Sequence, residues 1–376
     1  MALKPTQQLI RYGQSLWYDN ISRDMLDNGE LKRLIEEFGV RGMTSNPSIF
    51  DAAISKSAVY DKTIGSHRSL SVAQIFEELA LEDIARAADL LRPIYDESGG
   101  EDGFVSIEVS PLLASDTQGT LIEAKRLSSR LNRPNIMIKV PGTPEGIPAV
   151  QALLEEGISV NITLLFGVKN YEEVARTYCT ALRNRVKRGG DVRSIRSVAS
   201  FFVSRVDSAI DKRLGEVIEQ SKTSDTTRAE KAQSLLGQFG IANSKVAYDS
   251  FRKIFLSNEF DDLRKAGAAV QRPLWASTST KNPKYRDVMY VENLIGAHTV
   301  NTMPHDTVLA FADHGEVRES IGENVAQALK MQAELESVGV DVEKIIADLQ
   351  TDGVKKFADS FAALSKSIET KLKQVG

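Results

Sequence analysis

The chain has 376 residues, with 47 Lys+Arg against 51 Asp+Glu, a formal net charge of −4 and one cysteine, Cys179. At 42% hydrophobic and 26% charged residues it is an ordinary globular sequence, which excludes disorder and collagen-like chains and argues against a nucleic-acid backbone or an anionic membrane as the main partner. A single cysteine excludes an internal disulfide and a thiolate metal cluster, and the opening MALKPTQQLIRYGQSLWYDN has no apolar signal core, so a soluble cytoplasmic protein is expected.

In chain order, strand-like runs fall at 15–19, 40–44, 104–109, 135–140, 158–163, 195–202, 273–277 and 297–302. Amphipathic helical patterns lie between them, at 25–38, 72–91, 121–131, 147–156, 171–186 and 206–219, with apolar residues at i, i+3, i+4 spacing and charges opposite. Strands alternating with helices imply βαβ units and a parallel sheet. Eight such units predict an α/β fold of the (β/α)8 TIM-barrel type, since a doubly wound sheet more often has fewer strands. Segments 45–103 and 205–271 are too long for one helix each, and the tail after 304 shows helices and no strand. The expectation is one barrel domain over 1–376, with two helical insertions and a helical tail.

Side-chain parity within the strands carries the chemistry, because successive residues face opposite sides. In 104–109, Val105, Ile107 and Val109 oppose Phe104, Ser106 and Glu108. In 135–140, Ile136, Ile138 and Val140 oppose Met137 and Lys139. In 158–163, Ile158, Val160 and Ile162 oppose Ser159, Asn161 and Thr163. The uniform Val/Ile face suits a surrounding helix layer, so the polar face converges on the barrel axis near the C-terminal strand ends, where barrel active sites sit. A wet-faced antiparallel sheet alternates in the same way, but the interleaved helices argue for parallel strands.

Lys139 ends an apolar strand just before the turn Val140-Pro141-Gly142-Thr143. A desolvated amine loses proton affinity, and the neutral amine is the form that attacks a carbonyl to make a Schiff base. The bland alternative is a lysine that snorkels to water. Two carboxylates at other strand ends, Asp19 and Glu108, favour the chemical reading, because Schiff-base chemistry needs several proton transfers.

The segments TSNPSIF (44–50), VSIEVS (105–110), IMIKVPGT (136–143), GISVNITL (157–164) and SVASFFVSR (197–205), in this order, resemble the transaldolases, and the likeness extends to NTMP (301–304). Chain length and the opening SLWYDNISRDML resemble the longer bacterial members. The resemblance implies an enzyme of the pentose phosphate pathway that needs no metal or cofactor. It would move a dihydroxyacetone unit from sedoheptulose 7-phosphate to glyceraldehyde 3-phosphate, giving erythrose 4-phosphate and fructose 6-phosphate. It implies a Schiff base on Lys139, a proton taken from the C4 hydroxyl by Asp19, and a catalytic water held by Glu108 and Thr163. It also implies that Thr44, Asn46, Ser106, Asn161 and Ser200 hold the dihydroxyacetone hydroxyls and that Arg205 holds the phosphate.

The sequence departs from the family pattern after the seventh strand. Shorter members carry an arginine there in an ASFRN-like turn, whereas this chain reads ASTSTKN over 276–282, leaving Ser277, Ser279 and Lys281 as candidates to complete the phosphate site. Phe202 matches the transaldolases, whereas the related fructose 6-phosphate aldolases carry tyrosine, so a transferase is expected over an aldolase that releases dihydroxyacetone. A non-catalytic sugar-phosphate-binding barrel is the remaining alternative, disfavoured by the presence of Lys139, Asp19 and Glu108 together. His67, His298, His305 and His314 lack metal-ligand spacing, and His298 reads as part of strand eight, packed with Val300 on the helix layer. Cys179 reads as a core thiol and 366–373 as a solvated helix face. The expected partners are small sugar phosphates, and a monomer and a homodimer are both compatible with the sequence.

Overall fold

The structure, a computed structural model, describes residues 3–374. Eight strands occur in chain order: β1 (Gln14–Tyr18), β2 (Val40–Met43), β3 (Val105–Glu108), β4 (Ile136–Pro141), β5 (Val160–Leu165), β6 (Ser197–Phe202), β7 (Arg272–Ala276) and β8 (Thr299–Met303). Each pairs in parallel with its sequence neighbour, and β8 closes on β1. This is the (β/α)8 barrel that the alternation predicts, with strand ends moved by one or two residues.

The two faces of the strands divide as parity requires. Val105, Ile107, Ile136, Ile138, Val140, Val160 and Ile162 join helix residues such as Ile84, Leu127 and Leu153 in the outer apolar cluster. Trp17, Met137, Val198, Leu274 and Val300 fill the barrel interior. Burying each large apolar side chain contributes about 1.5–3 kcal/mol, so a one-residue slip of any strand would expose several such groups and is strongly disfavoured. The floor of the barrel is polar. Asp102 accepts from Trp17 Nε1 at 2.8 Å and Arg41 Nε at 3.0 Å, and also from Ser15 Oγ.

Three sequence expectations need correction. The helical pattern 25–38 is two helices, Arg23–Asp27 and Glu30–Phe38, because Gly29 adopts φ 80° between them. His298 precedes β8 rather than lying in it, and its own φ of 58° breaks the strand alternation there. Its ring therefore still meets Phe251 of the helix layer, 6.1 Å between centroids, while Val300 turns into the barrel. The segment 366–373 is not wholly solvated. Lys371 is buried and its Nζ donates to Ser57 O at 2.9 Å and Asp61 Oδ1 at 2.5 Å.

Residues 45–103 hold the Pro47–Lys56, Asp61–Ser66 and Val72–Glu97 helices, and 205–271 hold the Thr226–Ser234, Phe239–Phe255 and Asp261–Lys265 helices together with most of Ser204–Ser221. The tail forms the His305–His314, Val325–Ser337 and Val342–Gln374 helices. In the last of these, Gly353, Phe357, Leu364, Ile368 and Lys371 are buried, spaced at three, four and seven residues, so that they form one stripe facing the barrel. No helix among the described residues is long and apolar enough to cross a membrane.

Candidate active site

The register of the strands brings the polar residues together. Lys139 on β4 lies level with Glu108 on β3 and with Asn161 on β5, and Pro141 lies level with Thr163. Lys139 Nζ sits 3.4 Å from Glu108 Oε2, an ion pair in which the side chains are only 6% and 4% exposed. The same amine donates to Ser45 O at 3.2 Å. Ser45 is held in turn by donating its hydroxyl to Ser106 O at 2.8 Å.

Opposite this pair, Asp19 follows β1 directly. Thr44, at the end of β2, donates to Asp19 Oδ1 at 2.6 Å, and Thr302 of β8, 2.7 Å away, donates to the Thr44 hydroxyl. Burial raises the Asp19 carboxyl above its usual range, opposed by the Lys139 charge, the Thr44 hydrogen bond and Arg205. Burial pushes Glu108 up to about 7, again opposed by Lys139 and reinforced by Asp19. Two carboxyls whose proton affinities burial raises, set beside one amine, suit chemistry in which protons are given and taken within the site.

A chamber is lined by Asp19, Thr44, Asn46, Lys139, Thr163, Ser200, Phe202, Arg205, Ala276, Ser277, Thr302 and Phe357. A larger cavity lies to one side, with Glu108 in its wall, but its surface is mainly apolar, built from residues such as Phe50, Phe76, Leu127 and Phe361. The amine, carboxylate and guanidinium converge on the smaller chamber, and that convergence identifies the candidate site.

Below the chamber runs a fully buried polar layer. Asn161 Nδ2 donates to Ser106 Oγ at 3.0 Å and accepts at Oδ1 from Ser200 Oγ at 2.7 Å, which links β3, β5 and β6. Ser106 and Asn161 thus stand behind the chamber lining, while Ser200 reaches it. Asn46 caps the Pro47–Lys56 helix, accepting from Ile49 N at 3.1 Å, and lines the chamber.

Arg205 occupies the first turn of the Ser204–Ser221 helix, its guanidinium 5.0 Å from the Phe202 ring centroid. Burial lowers its proton affinity, partly restored by Asp19 and Glu108. Ser277 adopts φ 55° and accepts at O from Ser204 N at 3.0 Å, which fixes the β7 loop beside Arg205. Ser279 and Lys281 stand farther along that loop. Lys281 Nζ donates to Ser279 Oγ at 2.7 Å, Lys281 is exposed, and neither side chain lines the chamber.

Sequence reading missed Ser45, Thr302 and Phe357. Ser45 lies inside the TSNPSIF segment and was within reach, whereas Thr302 shares the parity of Val300, which turns inward only because His298 breaks the alternation before β8. Phe357 arrives from a helix far along the chain, with no local signal. Cys179 is buried and its thiol is pushed up to about 12 by burial, the behaviour of a packed core thiol.

Fold and site together define a (β/α)8-barrel protein with a buried amine flanked by carboxylates at the C-terminal ends of its strands. The pattern of the family described as Transaldolase/Fructose-6-phosphate aldolase matches residues 16–368. The protein named Transaldolase from Trichodesmium erythraeum (strain IMS101) is 44% identical over 372 residues, covering 98% of this chain and 97% of its own. Transaldolase 2 of Nostoc sp. (strain PCC 7120 / SAG 25.82 / UTEX 2576) is 44% identical over 377 residues, covering 99% of each chain. Transaldolase from Thiobacillus denitrificans (strain ATCC 25259 / T1) is 43% identical over 365 residues, 96% of this chain and 99% of its own. The chain belongs to the transaldolase/fructose-6-phosphate aldolase family and is an enzyme of the transaldolase kind.

Proposed function

We propose that this enzyme transfers a dihydroxyacetone unit from a ketose phosphate such as sedoheptulose 7-phosphate to glyceraldehyde 3-phosphate, through a Schiff base on Lys139. The single observation that carries the reading is the Lys139 amine, buried at the chamber wall, with Glu108 beside it and Asp19 on the same chamber.

The Lys139 nitrogen adds to the donor carbonyl carbon, and the carbinolamine loses water to give an iminium. Asp19 takes the C4 hydroxyl proton as the C3–C4 bond breaks. The electron pair of that bond flows into the iminium, giving an enamine and releasing erythrose 4-phosphate. The enamine carbon then attacks the aldehyde carbon of the acceptor, and Asp19 returns its proton to the new hydroxyl. Water hydrolyses the product iminium, freeing fructose 6-phosphate and the amine.

Glu108 and Thr163 hold the water that passes protons in the addition and hydrolysis steps. In support, both Glu108 carboxylate oxygens and Thr163 Oγ1 are buried without a hydrogen bond to the described residues, and a group with proton affinity near neutrality is matched to proton transfer in either direction. Thr44, Asn46 and Ser200 bind the dihydroxyacetone hydroxyls, with Ser106 and Asn161 ordering Ser200 from below. Arg205 binds the phosphate, assisted by Ser277, while Ser279 and Lys281 add polarity and charge at the rim.

Borohydride added with fructose 6-phosphate tests the mechanism. Mass spectrometry should find a reduced dihydroxyacetone adduct on Lys139, and an unmodified Lys139 peptide in a turning-over enzyme would refute it.

A further inference from the structure

The C-terminal helix, Val342–Gln374, is tied to the strands that carry the chemistry. Gln350 Nε2 donates to Gly142 O at 3.0 Å and lies 3.5 Å from Leu164 O. Those carbonyls stand just past Lys139 on β4 and next to Thr163 on β5. Leu164 has a φ of 62°, at an irregularity in the β5–β6 register, and its side chain joins the interior cluster. Gly353 makes room for it: a Cβ there would stand 2.9 Å from Leu164 Cδ2. At the far end, Ser367 Oγ donates to Asp51 Oδ1 at 2.7 Å and Lys371 is paired with Asp61.

Between these anchors, one turn beyond Gly353, the helix delivers Phe357. Its ring is 7% exposed, lines the chamber, and has its centroid 5.6 Å from Lys139 Nζ. A cation over an aromatic face is stabilised by the ring quadrupole, and more so where water is excluded. An apolar ring at that spot also occupies the approach of bulk water to whatever the lysine nitrogen carries.

We propose that Phe357 is a positioning residue that decides the fate of the three-carbon unit on Lys139, keeping it for an aldehyde acceptor instead of losing it to water. The inference rests on the Schiff-base reading above. Two fates compete for the enamine. In transfer, its carbon forms a bond to the acceptor aldehyde carbon and the resulting alkoxide takes the proton held by Asp19. In loss, the same carbon takes a proton, water adds to the iminium carbon, the C–N bond breaks, and free dihydroxyacetone leaves with the amine restored. Both routes return the enzyme to its starting form, so the exclusion of water by the Phe357 ring, beside Phe202 in the same chamber, favours the first over the second.

The test measures, for one enzyme preparation given fructose 6-phosphate with and without erythrose 4-phosphate, the ratio of free dihydroxyacetone released to sedoheptulose 7-phosphate formed. Borohydride trapping on the wild type comes first. Absence of an adduct there refutes the Schiff base itself and with it this proposal, whereas a trapped wild type isolates the role of Phe357. Phe357→Ala should raise the ratio about tenfold while the adduct still forms, and Phe357→Leu, which restores bulk without a π face, should bring the ratio most of the way back. Equal losses of release and transfer in Phe357→Ala, with an unchanged ratio, would overturn the proposal by making Phe357 a purely structural residue.

Discussion

Glu108→Gln should make this protein more stable and less active, and the stability gain should depend on pH. Burial lifts the Glu108 carboxyl from 4.5 to about 7, with the attraction of Lys139 at 3.4 Å already opposing that rise. The folded chain therefore binds this proton more tightly than the unfolded chain does. Stability from the group is fully present below about pH 4.5 and is lost as pH rises through about 7. At 1.36 kcal/mol per tenfold change in proton affinity, holding the charged form at pH 8 costs roughly 3 kcal/mol. Glutamine resembles the neutral acid and avoids that cost. With unfolding entropy near 2.1 cal/mol/K per residue, the gain at pH 8 is a Tm increase of about 4 °C, shrinking to about 1 °C at pH 5, where wild-type Glu108 is already largely neutral. Activity should fall by about a hundredfold or more as the proton shuttle is lost. Calorimetry of both proteins at pH 5 and pH 8 is the assay. A variant less stable than wild type at pH 8, or one equally shifted at both pH values, would refute the argument from desolvation.

The wild-type kcat/KM profile should carry an inflection near pH 7 from Glu108, and Glu108→Gln should remove it. Lys139→Ala should leave the circular dichroism spectrum unchanged and abolish transfer, and turnover near wild type would remove the lysine from the mechanism. Arg205→Ala should raise KM for phosphorylated donors about a hundredfold, by loss of a bidentate charged contact, while leaving unphosphorylated analogues alone. Lys281→Ala, an exposed rim charge, should change KM less and mainly reduce its salt dependence. On the barrel floor, Asp102→Ala should leave kcat intact but lower stability by about 3–5 kcal/mol in denaturant melts, because Arg41 and Arg272 lose their buried counter-charge.

The barrel was legible because strand-like and helix-like runs alternate along the chain, with 104–109, 135–140 and 158–163 setting a pure Val/Ile face against a mixed one and the helices repeating apolar residues at 3.6. Both periods follow from backbone geometry and survive without any tertiary information. Parity in 104–109, 135–140 and 158–163 was enough to turn Glu108, Lys139 and Thr163 inward. It failed at His298, where a left-handed residue resets the alternation; histidine is enriched at such positions but adopts them too rarely for the break to be read from residue type alone. The helix pattern 25–38 concealed a break at Gly29, whose φ of 80° ends one helix and starts another without disturbing the apolar spacing.

Which layer each inward residue occupies was not legible. Ser106 has the parity of Glu108 yet lies one level lower, opposite Met137, and Asn161, though level with Lys139, turns its amide to Ser106 and Ser200, because depth and side-chain partners depend on the register between staggered strands. Lys281 and Ser279 sit near Ser277 in sequence, but of the three only Ser277 lines the chamber.

By itself the sequence determined a parallel eight-stranded barrel, its inward-facing polar residues and the family to which they belong, since all of these rest on local periodicity and contiguous motifs. Only the tertiary structure decided that Glu108 and Lys139 form a sealed ion pair, that Glu108 titrates near neutrality, and that Phe357 closes over the amine from more than two hundred residues away. Proton affinity and shielding depend on what surrounds a group in three dimensions, and no spacing along the chain encodes that.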